Sequence, residues 1–356
     1  MCCQQFGEVP DFYPMTSPSG KLRHVLQTCT VRQPGIAGAR CPPECNGDAA
    51  CCNLNGGWIV HAVEYVVGDW ASDGSVFKPL TRGILDYGQF YSARTIADAT
   101  NTGRRLIYGN IRTDVTQGPF GVNTTVCEAP PWSSATEVCP VWFFFALPRE
   151  LSLGDDDRLL VKPPKELEQL RVPGSAVAKS VTSGALRCGQ RMALGLNSLL
   201  AEVSLTLRWP QAAKAGEVSG WQRAGIYILG GGVSVGYELS TMKLILNASN
   251  STTPPEHWGN GSRFLASPFA VNVSAVNNSV GFRVYLDKIV VEVFEERGRA
   301  VITQVTAPGE TGASAEVGIF LECGNHEEQG AALPSFEAHA WELRPAPVRT
   351  MPVGVS

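Results

Sequence analysis

The strongest constraint on the fold is a series of short segments with alternating apolar and polar residues in the second half of the chain. Turn sequences such as Leu286-Asp287-Lys288 and Glu296-Arg297-Gly298 separate them. Strands repeated in this way are typical of a β-sandwich. The many glycines (37) and prolines (24) also fit an all-β chain better than a helical one. We therefore predict strands at Ala201–Trp209, Gly225–Leu229, Ser234–Leu239, Lys243–Leu246, Gly281–Leu286, Ile289–Phe294, Ala300–Thr306, Ala315–Leu321 and Phe336–Leu343.

The first half of the chain also contains strand patterns, with one exception. Asn101-Thr102-Gly103 is a hairpin signal. Pro163–Arg171 begins with two prolines and predicts one short helix, which marks a natural domain boundary. The strands predicted in this half are Leu22–Leu26, Trp58–Val67, Phe90–Ile96, Arg104–Tyr108, Val141–Leu147 and Leu159–Val161.

The length of 356 residues allows two domains with sizeable cores. We predict a first domain at residues 1–171, a β-sandwich at 172–344 and a loose Pro- and Val-rich tail at 345–356. Two irregular insertions are predicted in the first domain. One spans residues 29–57 and is rich in Cys, Gly, Pro and Asn; the other spans 114–140 and contains Cys127 and Cys139.

Composition argues against several classes of function. The net charge is -4, charged residues make up 17%, and no basic stripe occurs, so we predict no nucleic-acid partner. No apolar run is long enough to span a bilayer, so we predict no membrane partner. The five histidines show no ligand spacing. The spacing Cys41-x3-Cys45-x5-Cys51-Cys52 is compatible with zinc, but it has no nearby His, and we favour disulfides. We predict no metal and no cofactor.

Cysteines and glycosylation sequences indicate the secretory pathway. The chain has 11 cysteines, and clustered cysteines in secreted proteins usually form disulfides. The N-terminus nevertheless lacks the charged and apolar regions of a signal peptide. We therefore expect the chain to be the later part of a longer secreted, extracellular or vacuolar protein. The Asn-x-Ser/Thr sequences that support this expectation are at Asn123, Asn247, Asn250, Asn260, Asn272 and Asn277.

Two carboxylates, Glu8 and Asp11, lie near the start of the chain within Gln4–Met15, and Glu8 stands between small or apolar neighbours. Pro10 and Pro14 keep this segment extended and out of any helix. Apolar surroundings would raise the pKa of the Glu8 carboxyl toward neutrality, which suits a general acid. The alternative is a solvated Glu on a strand edge.

Several stretches of the first half, taken together, resemble glycoside hydrolase family 32, which includes invertases, inulinases and levanases. GEVPDFYPM, from Gly7, is similar to the family's W-E-C-P-D-F motif, and DYGQFYSA, from Asp86, is similar to D-Y-G-K-F-Y-A-S. RRLIYG, from Arg104, resembles R-R-I-L-W-G, and LPREL, from Leu147, resembles I-P-R-x-L. PPKELEQLR, from Pro163, is similar to the segment that ends the family's catalytic domain.

The second half carries the same resemblance. Ser234–Leu246 resembles the hairpin I-G-Y-D…L-F-V-D, and Phe282–Arg299 resembles L-R-V-F-V-D-x-S-x-V-E-V-F-x-x-G-R. Together these motifs imply the later part of a five-bladed β-propeller followed by a β-sandwich. They imply that Glu8 is the catalytic acid/base. The substrate-binding residues implied by the resemblance are Asp11, Asp86, Gln89, Phe90, Tyr91 and Tyr108, although Phe90 and Tyr91 equally suit an ordinary strand core.

The sequence departs from the family pattern at the nucleophile and at several sugar-binding positions. The motifs W-M-N-D-P-N-G, with the nucleophilic Asp, and F-R-D-P are absent from the sequence. Gln89 replaces a Lys, and Tyr108 and Asn110 replace tryptophans on the acceptor side. A retaining glycosidase needs two carboxyls, and we find no convincing replacement for the missing one. Glu292 matches a frequent residue of the second domain, and we assign it no catalytic role.

Three hypotheses for function follow from the resemblance. The first is a β-fructofuranosidase-type hydrolase that acts on sucrose or fructan oligosaccharides with retention, inactive as the chain stands. The second is a fructosyltransferase, which would keep the acid/base and differ on the acceptor side. The third is a non-catalytic carbohydrate-binding or structural remnant.

Overall fold

The computed structural model describes residues 6–32, 60–71, 73–99, 103–113, 142–210, 221–248, 269–288, 290–306, 314–324 and 333–345. Strands make up 63% of the structure and helices only 4%, and the predicted all-β fold is confirmed. No helix in this part of the chain is long and apolar enough to cross a membrane.

Two antiparallel sheets precede the sandwich, and in both the main path follows chain order. Such four-stranded meanders are the blades of β-propellers. The first sheet contains β1 (Phe6–Thr16), β2 (Leu22–Arg32), β3 (Val60–Trp70) and β4 (Phe77–Ile84). The second contains β5 (Phe90–Ala97), β6 (Arg105–Thr113), β8 (Arg149–Leu153) and β9 (Leu159–Lys162), while β7 (Trp142–Phe145) pairs beside them with β6.

Two six-stranded sheets form the β-sandwich. Their facing sides pack into one core that includes Val203, Leu205, Ile226 and Ile319. One sheet has the order β10 (Val177–Val181), β21 (Ser335–Glu342), β12 (Leu200–Arg208), β17 (Ser279–Asp287), β18 (Val290–Glu295) and β19 (Val301–Val305). The other has the order β11 (Arg191–Asn197), β20 (Glu316–Cys323), β13 (Trp221–Ile228), β14 (Val233–Glu238), β15 (Lys243–Asn247) and β16 (Phe269–Asn272).

Strands β17, β18 and β19 are covered on both faces. In β18, Val291 and Val293 belong to the sandwich core, whereas Val290 and Phe294 belong to a second core shared with the two blade-like sheets. Successive side chains of a strand point to opposite faces, so every residue of a strand covered on both sides is buried, as in β18, including its two glutamates. Because the strands on either side of residue 171 share this second core, the domain boundary there stays a prediction.

Backbone hydrogen bonds also join the blade-like sheets to the sandwich. Tyr87 N donates to Val301 O and Gln89 N donates to Thr303 O, each at 2.8 Å. Gly88 lies between them, and a Cβ at this position would come within 1.9 Å of Thr303 O. This close approach explains why a glycine stands in the DYGQF sequence.

The observed elements differ from the predicted ones at a few places in the chain. The helix predicted at Pro163–Arg171 is a 3₁₀ helix at Lys165–Leu170. The sequence does not predict strands β4, β8, β10, β11 and β16, and it predicts β1 only as an extended segment. Strand β2 continues to Arg32, three residues past the predicted start of the first insertion. The rest of that insertion, all of the second, and the tail after Pro345 lie outside the described residues.

One disulfide, Cys188–Cys323, is described, and it joins the segment before β11 to the end of β20. Cys29 is a buried thiol whose Sγ accepts a hydrogen bond from Ala93 N at 3.3 Å. The predicted cysteine cluster from Cys41 to Cys52, and Cys127 with Cys139, lie outside the described residues.

Candidate active site

Strand β1 bends immediately after Glu8. Glu8 pairs with Cys29 and Asp11 pairs with Gln27, so β1 has one extra residue between these pairs, which makes a β-bulge. Val9 within the bulge has a φ of 52°. A β-branched residue rarely adopts positive φ, and such strain persists only where surrounding contacts enforce it. Bulges re-aim neighbouring side chains and are frequent next to active sites.

Strand β5 has a matching bulge. Tyr91 pairs with Asn110 and Arg94 pairs with Tyr108, which again leaves one extra residue between the two pairs. Ser92 within this bulge has a φ of 53°. Two irregular strand segments, each with a non-glycine residue at positive φ, therefore occur on two strands that pack against each other.

Hydrogen bonds join the two bulged strands to each other. Asp11 Oδ2 accepts from Thr95 N at 2.9 Å and from Thr95 Oγ1 at 2.6 Å. The Arg94 guanidinium donates to Pro10 O. Arg105 Nη1 donates to Thr95 Oγ1 at 2.7 Å, so the Asp11 carboxylate has a cation within its hydrogen-bond network. The chain that follows Glu8 is therefore fixed against β5.

A buried tyrosine, Tyr13, adds a further connection between strands β1, β2 and β5. The Tyr13 hydroxyl donates to Gln27 Oε1 at 3.2 Å, and Gln27 Nε2 donates to Ala93 O at 3.3 Å. The Arg105 guanidinium carbon lies 4.2 Å from the centre of the Tyr13 ring. Burial raises the pKa of Tyr13 above its ordinary value, and the charge of Asp11 adds to this shift. Tyr13 is therefore a neutral structural phenol and not a proton donor for catalysis.

The predicted site residues do not all come together. The backbone of Glu8 lies in β1 and pairs with Cys29 of β2, but its side chain lies outside the described residues, so its acid/base role stays a prediction. Asp11 lies at the contact between β1 and β5. Tyr91 is buried in the core of the blade-like sheets, whereas Tyr108 is 42% exposed on β6.

Asp86, Gln89 and Phe90 lie at the junction with the sandwich. Asp86 accepts hydrogen bonds from Thr303 Oγ1 at 2.6 Å and from Gly88 N at 2.6 Å. Gln89 Oε1 accepts from Val305 N at 2.6 Å. These side-chain groups are bonded to protein, so their predicted substrate contacts receive no support from this geometry and stay a prediction.

Arg149 organises that junction and was not predicted from the sequence. Its guanidinium is fully buried, 2.9 Å from Asp86 Oδ2 and 2.9 Å from Glu292 Oε2, and it stacks on Phe90 with 3.6 Å between its central carbon and the ring centre. Burial raises the pKa of the Glu292 carboxyl, although Arg149 opposes this shift. The LPREL motif was noted in the sequence, but nothing local shows which distant acids a buried arginine faces.

An exposed pair of aromatic side chains lies on β6 and β7. Phe145 is 90% exposed and is paired in register with Asn110. Tyr108 lies two residues before Asn110, so all three side chains share one face of the sheet. The sequence alone predicts Phe145 only as part of an apolar strand. Its exposure gives it a candidate role as a stacking surface for a sugar ring.

Comparison with known proteins identifies the second half of the chain directly. Residues 166–340 match the family model described as "Glycosyl hydrolases family 32 C terminal". The chain is 25% identical over 252 residues to a levanase from Bacillus sp. (strain L7), a match that covers 69% of this chain and 24% of the levanase. It is 27% identical over 266 residues to a levanase from Bacillus subtilis (strain 168), with 72% and 35% covered. The matched region therefore spans about a third or less of these relatives.

Solved structures share the fold over nearly the whole chain. The exo-inulinase from Aspergillus awamori has a TM-score of 0.65 at 15% identity, covering 96% of this chain and 57% of the enzyme. Fructan 1-exohydrolase IIa from Cichorium intybus, solved in complex with 1-kestose, has a TM-score of 0.64 at 15% identity, with 96% and 62% covered. The fold prediction of a propeller portion followed by a β-sandwich is confirmed. The family model therefore assigns residues 166–340 to glycoside hydrolase family 32, a family of glycosidases, and the levanase relatives and the ordered motifs agree with this assignment.

Proposed function

We propose that this chain carries the acid/base side of a β-fructofuranosidase-type site that hydrolyses O-glycosyl bonds of sucrose or fructans with retention. Glu8 is the proposed acid/base. The observation that carries the proposal is the strained bulge at Val9, directly after Glu8, bonded to the bulged strand β5. Such strain needs a reason in the structure, and aiming a catalytic side chain is one.

The proposed chemistry assigns Glu8 two proton transfers. As an acid it protonates the oxygen of the departing sugar, and as a base it removes a proton from the water that releases fructose. A retaining enzyme needs a second carboxyl about 5–5.5 Å away as nucleophile. Glu8 cannot fill both roles.

The other acids considered for the nucleophile are all engaged. Asp11 holds two hydrogen bonds from Thr95, and Asp86 is buried against Arg149. Asp69 lies 3.3 Å from Arg23, and Asp73 accepts hydrogen bonds from Ser75 within its own turn. Together with the absence of W-M-N-D-P-N-G from the sequence, this supports the proposal that the 356 residues alone do not turn over sucrose.

For substrate we propose a fructose-containing oligosaccharide. The relatives are named levanases, and one structural neighbour is a fructan exohydrolase bound to 1-kestose. We place the sugar against the outer face of β6 and β7, where Tyr108 and Phe145 offer exposed rings for stacking. Asp11, Asp86, Gln89, Phe90 and Tyr91 remain substrate-binding candidates on the resemblance. The Cys188–Cys323 disulfide supports a proposed location in the secretory pathway.

The acid/base role of Glu8 can be tested by adding a small external carboxylate, formate, in place of the missing nucleophile. Formate at high concentration can attack the fructosyl carbon while Glu8 protonates the leaving sugar, and the fructosyl formate then hydrolyses to fructose. We expect no fructose from 1-kestose or sucrose without formate, slow release with formate, and loss of this rescue in Glu8→Gln. The matched control is Glu342→Gln, an exposed acid on β21, which should keep the rescue. Rescue that is equal in Glu8→Gln and wild type would refute the acid/base role.

Binding without turnover is a second candidate, favoured by the missing nucleophile motif. It predicts that 1-kestose binds but that formate never rescues hydrolysis. Saturation-transfer NMR shows whether 1-kestose binds, and Phe145→Ala should weaken this binding for either candidate. The formate rescue then separates the two, because only the hydrolase shows it. Fructosyl transfer would instead give longer oligosaccharides among the products of rescue.

A further inference from the structure

A cleft of about 570 Å³ lies where the first sheet, the turn between β8 and β9, and the sandwich meet. Among the described residues, its lining contains one acidic side chain, Asp156. The chain as a whole has a net charge of -4, so the concentration of positive charge here runs against the overall balance. The basic side chains that line the cleft are Arg82, Arg158, Lys243, Arg297 and Arg299.

Two of these arginines form hydrogen bonds or ion pairs within the protein. Arg297 Nε donates to Glu295 Oε1 at 2.8 Å, and its guanidinium also donates to Ser274 O. Arg299 Nη1 lies 2.8 Å from Asp156 Oδ2. These bonds hold the wall made by the turn between β18 and β19.

Arg82 and Arg158 are different. Both side chains are exposed, and neither pairs with an acid within the part of the chain that the structure describes. An arginine usually finds a carboxylate where one is near, since its fork of donors matches the two oxygens. Here the nearby acids are committed to other partners.

The backbone near both arginines is fixed. The Thr81 hydroxyl donates to Asp157 O, which joins the residue before Arg82 to the residue before Arg158. The Asp157 carboxylate lies 2.9 Å from Arg23, and Val161 N donates to Gly298 O at 2.9 Å. The two free guanidinium groups therefore extend from neighbouring, anchored backbone positions into one cleft.

We propose that this cleft binds a sugar-sized ligand that carries at least two tetrahedral anionic groups, as sulfate or phosphate esters do. Arg82 and Arg158 each bind one of these groups through paired N–H donors. The cleft volume lies within the range of small-molecule sites, about 300–1,000 Å³. Low-dielectric protein walls concentrate the electric field of the arginines inside the cleft. A doubly charged ligand is therefore attracted more strongly here than on an open surface.

The proposal is tested by calorimetric titration of the full chain with two polyanions, sucrose octasulfate and inositol hexakisphosphate. Sucrose and inositol are their neutral counterparts. We expect one polyanion per chain, an affinity that falls as NaCl is raised, and no comparable heat from the neutral compounds. The tighter polyanion identifies the ester class.

Matched variants separate the cleft from general charge. Arg82→Gln/Arg158→Gln should weaken polyanion binding at least tenfold. Lys179→Gln/Arg187→Gln removes the same charge from exposed positions outside the cleft lining and should change it less than twofold. Arg82→Lys/Arg158→Lys keeps the charge and loses the paired donors, so its loss should be intermediate. Absence of polyanion binding, or equal losses in the two Gln pairs at unchanged melting temperature, would overturn the proposal.

Discussion

At the scale of single residues, Arg149 is the side chain on which the junction between the sheets depends. It is fully buried between the carboxylates of Asp86 and Glu292, with both ion pairs at 2.9 Å. Removing one partner of a buried ion pair leaves an uncompensated charge and costs about 3–5 kcal/mol. We therefore predict that Arg149→Ala lowers the free energy of unfolding by about 3–5 kcal/mol, measured by urea denaturation.

An exposed ion pair provides the control for that prediction. Arg208 Nη1 lies 2.7 Å from Glu337 Oε2, with both side chains about half exposed. Exposed pairs contribute about 0–1 kcal/mol, so Arg208→Ala should cost no more than this. If Arg149→Ala and Arg208→Ala lower the free energy of unfolding equally, the buried ion pairs of Arg149 do not contribute more to stability than an exposed pair.

Asp86 and Phe90 show how far residue roles could be predicted. Their motif was recognised from sequence, and the family was identified correctly through it. Their contacts, however, are with Thr303 and Arg149, more than fifty residues away in the chain. A sequence pattern shows that a residue type recurs in a motif, but long-range packing decides whether its side chain faces a ligand or a neighbouring strand.

At the scale of elements, the paired bulges in β1 and β5 store local strain. A non-glycine residue in the left-handed region costs about 1–2 kcal/mol, and Ser92 has a φ of 53°. We predict that Ser92→Gly raises the free energy of unfolding by up to about 1 kcal/mol, because glycine adopts this conformation without the clash but loses more entropy on folding. Ser92→Ala keeps the Cβ and should show no gain. Equal urea midpoints for the Gly and Ala variants would contradict this account.

The turns of the two blade-like sheets are joined by Asp155. Its Oδ1 accepts hydrogen bonds from Ser17 Oγ at 2.8 Å and from Ser19 N at 3.0 Å. Hydrogen bonds from Ser19 and Ser17 hold the pKa of Asp155 below its ordinary value. Since the pKa is lower in the folded state, this carboxylate stabilises the fold above the unfolded-state pKa of about 3.9, and the contribution is lost as pH falls through the lowered pKa.

Asp155→Asn should therefore be less stable than wild type near pH 6, and the difference should shrink below about pH 4. Urea denaturation of both proteins across this range measures the difference. Ser17→Ala removes one of the donors and should reduce the same pH-dependent part. A stability difference that does not change with pH would rule out the charge of Asp155 as its source.

Strand predictions succeeded where the apolar pattern was strong and failed at weaker strands. Phe90–Ile96 and Ala201–Trp209 were predicted within one residue of β5 and β12 at each end. Strand β4 was missed because its Lys78, Pro79 and Arg82 make it polar, as suits a strand at a sheet edge. Strand β11 contains Gly195 inside a register shift, which interrupts its alternating pattern. The bulge at Val9 could not be predicted from the sequence, since no residue type there favours positive φ.

At the scale of the whole molecule, the two hydrophobic cores share a wall. Val293 on β18 faces the sandwich core, while Phe294 beside it faces the core of the blade-like sheets. Strand β18, which carries both residues, cannot separate from one core without opening the other. We therefore expect the described parts of the chain to unfold as one cooperative unit.

The Cys188–Cys323 disulfide gives the sharpest test of that coupling. It closes a separation of 135 residues within the sandwich, and both cysteines pack against the sandwich core. Disulfides commonly contribute about 2–5 kcal/mol by restricting the unfolded chain. Cys188→Ser/Cys323→Ser should lower the melting temperature of a single calorimetric transition that includes both cores. If the transition instead splits, and only one component moves to lower temperature, the shared wall does not couple the two cores. Wild-type protein treated with reductant should follow the double variant, which separates loss of the cross-link from any effect of the serines.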